Sequence, residues 1–204
     1  MAYLLPTEYA QYGLTSDTTD DWITMASSLM EAHCRRTSLL ATQYVERMRL
    51  TSGAQTVRLS YAVKDAPIVL VTVRVRYGRP RRGEMMDPFR EQIAWAFSLP
   101  GGSWSSLDVT TIDVNPATGE LTFPENFLGL NYNEVEITYT AGFVTIPPAV
   151  KVACAQIVKN AQSMPSSNVK SNKMDTLQME YFSGSLIDAQ VQMLLRPYLA
   201  QRIG

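Results

Sequence analysis

A chain of 204 residues with 46% hydrophobic and 18% charged side chains can bury a core, which excludes a disordered tail. A net charge of −1 and a pI near 5.9 argue against a general nucleic-acid binder, which is basic across its whole domain, although a local basic patch stays open. No apolar run reaches the roughly 18 residues of a membrane helix. Met1-Ala2-Tyr3-Leu4-Leu5-Pro6 lacks the basic flank and long apolar stretch of a signal peptide, so a soluble protein made in the cytoplasm is expected.

The first element starts at Asp17-Thr18-Thr19-Asp20-Asp21, which supplies capping oxygens and negative charge to a helix N-terminus. Trp22, Ala26, Leu29 and His33 then fall at helical steps, widened by Ile23 and Met30, and predict an amphipathic helix to about Arg36. Thr42–Met48 and Thr56–Tyr61 read as strands flanking a turn around Ser52-Gly53. Ile68–Tyr77 alternates most clearly: Val69, Val71, Val73, Val75 and Tyr77 point one way, Thr72, Arg74 and Arg76 the other. Arg79-Pro80-Arg81-Arg82-Gly83 reads as an exposed loop, and Asp87–Phe97 as a short helix with Pro88 in its first turn.

A second β segment follows: Leu107–Val114, the turn Asn115–Gly119, and Glu120–Phe123. Glu134–Thr140 alternates again, with Val135, Ile137 and Tyr139 on one side. Pro147-Pro148 introduces a helix whose apolar stripe is Val150, Ala153, Ile157 and Ala161. Met164–Asp175, rich in Ser, Asn and Lys, reads as a mobile loop. A last helix starts at Ser185, with Asp188 three residues on in a capping-box arrangement, and Pro197 is expected to kink or end it near Arg196. The order predicts an α+β fold, helices packed with a mainly antiparallel sheet, because the links between strands are too short for parallel crossovers. A single domain over 1–204 is expected, with an insertion at about 78–106 and the loop at 164–175.

No catalytic constellation assembles from these residues. His33 is the one histidine, and on a helix it diverges from Cys34 by about 100°, so the two are poorly placed to share a metal. There is no phosphate-binding Gly-rich run. No catalytic residue, metal or cofactor is expected. Cys34 and Cys154 read as small buried hydrophobes rather than a disulfide. Glu134 and Glu136 read as a solvated or partner-facing edge. Arg74, Arg76, Arg79, Arg81 and Arg82 form the one charge cluster, open to three readings: a solvated face, pairing with acids of a neighbouring subunit, or contact with DNA phosphates.

Several segments together resemble the head–tail connector (adaptor) proteins of tailed bacteriophages. They are the lead-in Leu5–Leu14, the helix Asp21–Arg36, the strand after a proline in Ala66-Pro67-Ile68-Val69-Leu70-Val71-Thr72-Val73, and the finish Leu194-Leu195-Arg196-Pro197-Tyr198. Most distinctive is Val135-Glu136-Ile137-Thr138-Tyr139-Thr140-Ala141-Gly142-Phe143, then Ile146-Pro147-Pro148 and a helix. The segment Gly78–Gly102 departs from the family pattern. The resemblance implies a structural virion protein of the neck, a homo-oligomeric ring of twelve copies between the portal protein and the next neck or tail-completion protein. It also implies passive contact with transiting DNA, and no membrane. By analogy the C-terminal segment contacts the portal, which maps onto Arg196, Pro197, Tyr198 and Arg202. The other reading is a non-catalytic β-rich carbohydrate- or protein-binding module, with Trp95 and Trp104 as stacking aromatics.

Overall fold

The computed structural model describes residues 2–15, 17–50, 55–63, 66–76, 89, 92, 96, 104–125, 132–163, 171–174, 177–180 and 186–200. The fold is α+β, and among the described residues the strands pair antiparallel throughout. The chain is organised as two compact units: Met1–Leu40 with Phe143–Ala200, and Ala41–Gly142 between them in sequence. No helix among the described residues is long and apolar enough to cross a membrane.

The first unit is helical. Helix α1 (Asp20–Cys34) carries Asp20 and Asp21 in its first turn, where the helix dipole favours negative charge; its cap residue Thr19 makes no side-chain bond to the helix. The buried stripe is Ile23, Ala26, Ser27, Met30 and Cys34. It is rotated from the predicted one, so Trp22, Leu29 and His33 lie half-buried on its flank. Each fully buried aliphatic such as Ile23 or Met30 contributes about 1.5–3 kcal/mol by leaving water.

The helix closes in a Schellman arrangement, with Arg35 N–H bonded to Ala32 C=O at 3.1 Å and Arg36 N–H to Glu31 C=O at 3.0 Å. Arg35 holds φ 55°, the left-handed conformation that glycine adopts without cost. Arg35→Gly should therefore raise the unfolding free energy by about 0.5–1 kcal/mol. Urea unfolding followed by far-UV circular dichroism measures this; a lower midpoint would contradict it.

Helix α2 (Pro148–Ser163) starts at the predicted proline and buries Val150, Ala153, Cys154, Ala155, Ile157 and Val158 against α1 and α3. Helix α3 (Ala189–Leu195) starts later than predicted. Its cap is Asp188, whose Oδ1 accepts the Val191 N–H at 2.7 Å; Ser185 lies outside the described residues. Pro197 ends it as predicted, in the 3₁₀ turn Arg196–Tyr198. Cys34 and Cys154 are free and buried, and burial pushes both thiols up to about 11.

The N-terminal segment, from Tyr3 through the lead-in, is strapped onto this core. Tyr3 N–H donates to Ser27 Oγ at 3.2 Å, and its hydroxyl donates to Glu31 at 2.6 Å and accepts the Leu39 N–H at 2.9 Å. Glu8 pairs with Lys151 on α2. The predicted loop 164–175 is corrected in its last part: Ser171–Met174 (β8) pairs with Leu177–Glu180 (β9), while 164–170 lie outside the described residues.

The second unit is built of strands: β1 (Thr42–Arg49), β2 (Thr56–Arg58), β3 (Ile68–Arg76), β4 (Ser105–Leu107), β5 (Asp113–Asn115), β6 (Glu120–Thr122) and β7 (Glu134–Ala141). A four-stranded sheet runs β1-β7-β3-β4, and a three-stranded sheet runs β2-β6-β5. β1 and β2, read in sequence as flanking one turn, thus belong to different sheets. The predicted strand Leu107–Val114 is also broken, by a 3₁₀ turn at Val109–Thr111 whose Thr110 N–H bonds the Asp108 carboxylate at 2.9 Å. Of the predicted 87–97 helix only Phe89, Gln92 and Ala96 are described, each helical and exposed. Of the predicted 78–106 insertion, besides these three, only Trp104–Ser106 are described, and they lead into β4.

Alternation along β7 sends Val135, Ile137, Tyr139 and Ala141 into the core, with Tyr44, Leu59, Val73, Val75, Leu121 and Phe123. Tyr139 donates its hydroxyl to Glu46 and accepts the Tyr61 N–H at 3.3 Å, while Tyr61 stacks on Tyr44 at 4.3 Å. The other face of β7 carries Glu134, Glu136, Thr138 and Thr140.

Candidate functional site

The outer face of the four-stranded sheet gathers most of its charge at one end. Register sets Arg47 of β1 and Arg74 of β3 on either side of Glu136, and Arg49 and Arg76 on either side of Glu134. Two Arg–Glu–Arg rows therefore stack across three strands. Directly opposite residues on one sheet face are near enough for long side chains to meet and lean diagonally, and Arg47 does so. Glu134 accepts from Arg47 Nη2 at 2.9 Å, Arg49 Nε at 3.1 Å and Arg76 Nε at 2.6 Å; Glu136 accepts from Arg74 Nε at 3.1 Å.

Burial raises the Glu134 carboxyl, but the three guanidinium hydrogen bonds outweigh it and hold the group at about 2. It is charged at neutral pH, and three of its acceptor sites are occupied by guanidiniums. A carboxylate in that state is not available as a general base, so the cluster presents charge rather than moving protons. Trp104, just ahead of β4, lies against three guanidiniums, with its ring centroid 4.6 Å from Arg76, 5.0 Å from Arg47 and 5.8 Å from Arg74. Each such contact is worth about 0.5–1 kcal/mol at a partly exposed site.

The structure corrects the sequence reading of this face in two respects. Glu134 and Glu136 are not on an edge: β7 is an inner strand, and both are matched by arginines of its two neighbours. The predicted alternation of β3 also fails at Val71. The register shifts between Leu70 and Thr72, one extra residue is accommodated there, and the side chains before it change sides. Val73 and Val75 are buried as predicted, but Val69 and Val71 emerge on the same face as Arg74 and Arg76.

Of the predicted arginine cluster, the structure brings Arg74 and Arg76 together, and Arg79, Arg81 and Arg82 lie outside the described residues. Arg47 and Arg49 complete the cluster and were not singled out from the sequence. The signal available was the Glu46-Arg47-Met48-Arg49 alternation, which puts both arginines on one strand face. Trp104 is half-buried with guanidiniums against its ring, and Trp95 lies outside the described residues.

The predicted portal contacts divide differently. Arg196 and Pro197 are exposed, whereas Tyr198 packs edge-on against Phe143 with centroids 5.6 Å apart. The Tyr198 carbonyl accepts from Nε of the buried Arg36 at 2.7 Å, and the Ala200 N–H bonds the Cys34 carbonyl at 2.9 Å. Residues 198–200 are thus part of the helical core. Arg202 lies outside the described residues.

Neither a known protein-family model nor a curated protein matches this sequence.

Proposed function

We propose that the chain is a structural, non-catalytic subunit of the neck of a tailed bacteriophage, an adaptor that forms a ring joining the portal to the tail and continuing the DNA exit channel. By the resemblance the ring has twelve copies, sits in the virion after synthesis in the host cytoplasm, and needs no cofactor. The observation that carries the reading is that the resembling segments, though far apart in sequence, pack with one another: the lead-in, the first helix, the helix after Pro147-Pro148 and the finish in the helical unit, and the strands within Ala66–Val73 and Val135–Ala141 as neighbours in the four-stranded sheet. The lead-in bonds α1 through the Tyr9 hydroxyl, which donates to Asp20 at 2.7 Å, Phe143 N–H bonds Leu39 C=O at 2.9 Å, and the C-terminal Tyr198 and Ala200 close on Arg36 and Cys34. Motifs far apart in sequence that pack against one another support a shared architecture better than any motif alone.

The portal contact is assigned to Arg196 and Pro197, the two outward residues of the C-terminal turn, with Arg202 beyond it and Tyr198 in a supporting role. Removing 196–204 would strip the buried Arg36 of the Tyr198 carbonyl, so truncation confounds docking with stability. The clean variant is Arg196→Glu. It should melt as the wild type does and lose at least tenfold in capture by the cognate portal, measured by co-sedimentation. Unchanged capture would remove the C-terminal turn from the docking surface.

A further inference from the structure

We infer that the outer face of the four-stranded sheet is the seat for a second copy of this chain, which offers it the acidic surface of its first 34 residues. The inference rests on the adaptor reading only for the closure of such contacts into a ring.

The face mixes apolar and cationic surface. Val45, Val69 and Val71 are 66%, 57% and 45% exposed. Val45 lies opposite Thr138, and Val69 opposite Thr140, so the valines flank the β7 threonines from both sides. Beside them the Arg47 and Arg74 side chains remain 51% and 49% exposed despite their carboxylate partners. Exposed apolar residues clustered on a sheet face, with arginine and tryptophan at hand, have the composition of a protein–protein contact. Phosphate recognition would make no use of the valines, and Glu134 and Glu136 would repel a phosphate backbone.

Charge selects the occupant. Among the described residues of this face, four arginines against two glutamates sum to +2 while the whole chain is −1, so the remainder of the chain carries a net −3. That acid is concentrated at one end of the sequence. Residues 1–34 contain Glu8, Asp17, Asp20, Asp21 and Glu31 and no lysine or arginine. Glu8 is matched by Lys151, whereas Asp17, Asp20 and Asp21 are exposed around the start of α1. A basic patch and an acidic patch on one chain are complementary between copies and not within a two-fold pair of like patches. Head-to-tail contacts, which build rings, require that arrangement.

A charge swap tests this on the full chain. Arg47→Glu with Arg74→Glu, and separately Asp17→Lys with Asp21→Lys, leave the Asp20–Tyr9 hydrogen bond in place. Each double variant should lose at least tenfold in self-association by analytical ultracentrifugation, or in copies captured per portal if assembly needs the portal. An equimolar mixture of the two should recover the wild-type level. Val45→Thr with Val69→Thr, which alters no ion pair, should weaken association with an unchanged melting curve, and raised salt should weaken the wild type. If both charge variants assemble like the wild type, or the mixture does not recover, the interface is wrong while the adaptor reading survives. If the wild type assembles neither alone nor on the portal, both fail.

Discussion

Replacing Gly119 with alanine should lower the unfolding free energy by about 2–4 kcal/mol. Gly119 ends the turn between β5 and β6, where its N–H bonds the Asn115 carbonyl at 2.8 Å and its carbonyl accepts the Leu59 N–H at 2.9 Å. Both bonds fix its backbone at φ 72°, a left-handed conformation that costs an alanine roughly 1 kcal/mol. A Cβ built there would stand 2.3 Å from the Ala62 Cβ, well inside contact distance, so one of the two segments must move. The two causes separate in a double-mutant cycle. Ala62→Gly should restore the steric part and leave the conformational part, as read from urea midpoints. A Gly119→Ala protein as stable as the wild type would contradict the turn geometry.

Glu134→Gln should cost about 2–3 kcal/mol at neutral pH. The amide keeps the shape but removes the charge that three guanidiniums share, and it turns two N–H donors toward cations. Arginines on this face keep partial contact with water, which holds the cost below that of a fully buried pair. The pH dependence gives a second readout. The folded carboxyl titrates at about 2, whereas an unfolded chain takes up its proton near 4.3, roughly the ordinary glutamate value. The stabilisation is therefore complete above about pH 5. It falls as the pH drops through 4 and 3, where the unfolded state binds a proton that the folded state refuses, and it is lost near pH 2. The stability gap between wild type and Glu134→Gln should close over that window. A gap that stays constant from pH 7 to pH 3 would show that the charge is not what the arginines hold.

Local features of the fold were legible in the sequence. Pro148 opens α2, Pro197 ends α3, β1 and β7 start where predicted, and the cysteines are buried, because a proline's missing N–H and a period-two pattern act within a few residues. The pairing of β1 and the full arginine site were set by partners far away in the chain. Thr42–Arg49 looked like half of a local hairpin, yet it pairs with Glu134–Ala141, and no local signal specifies that choice. The arginine site was half visible for the same reason. Arg74 and Arg76 stood out as a run, whereas Arg47 and Arg49 acquire their role only when Glu134 and Glu136 are placed between the strands. The bulge at Val71 reverses two valines at a position where the sequence shows unbroken alternation. The β8–β9 hairpin was missed because Ser171-Asn172-Lys173 has a loop's composition and lacks the β-branched residues that mark strands.

The adaptor reading is tested most directly by the mass of the purified chain, alone and with the cognate portal, from light scattering with negative-stain images of the same samples. Rings in isolation, or many copies captured on each portal, are the expected result. A monomer that stays monomeric in the presence of portal would contradict the proposal.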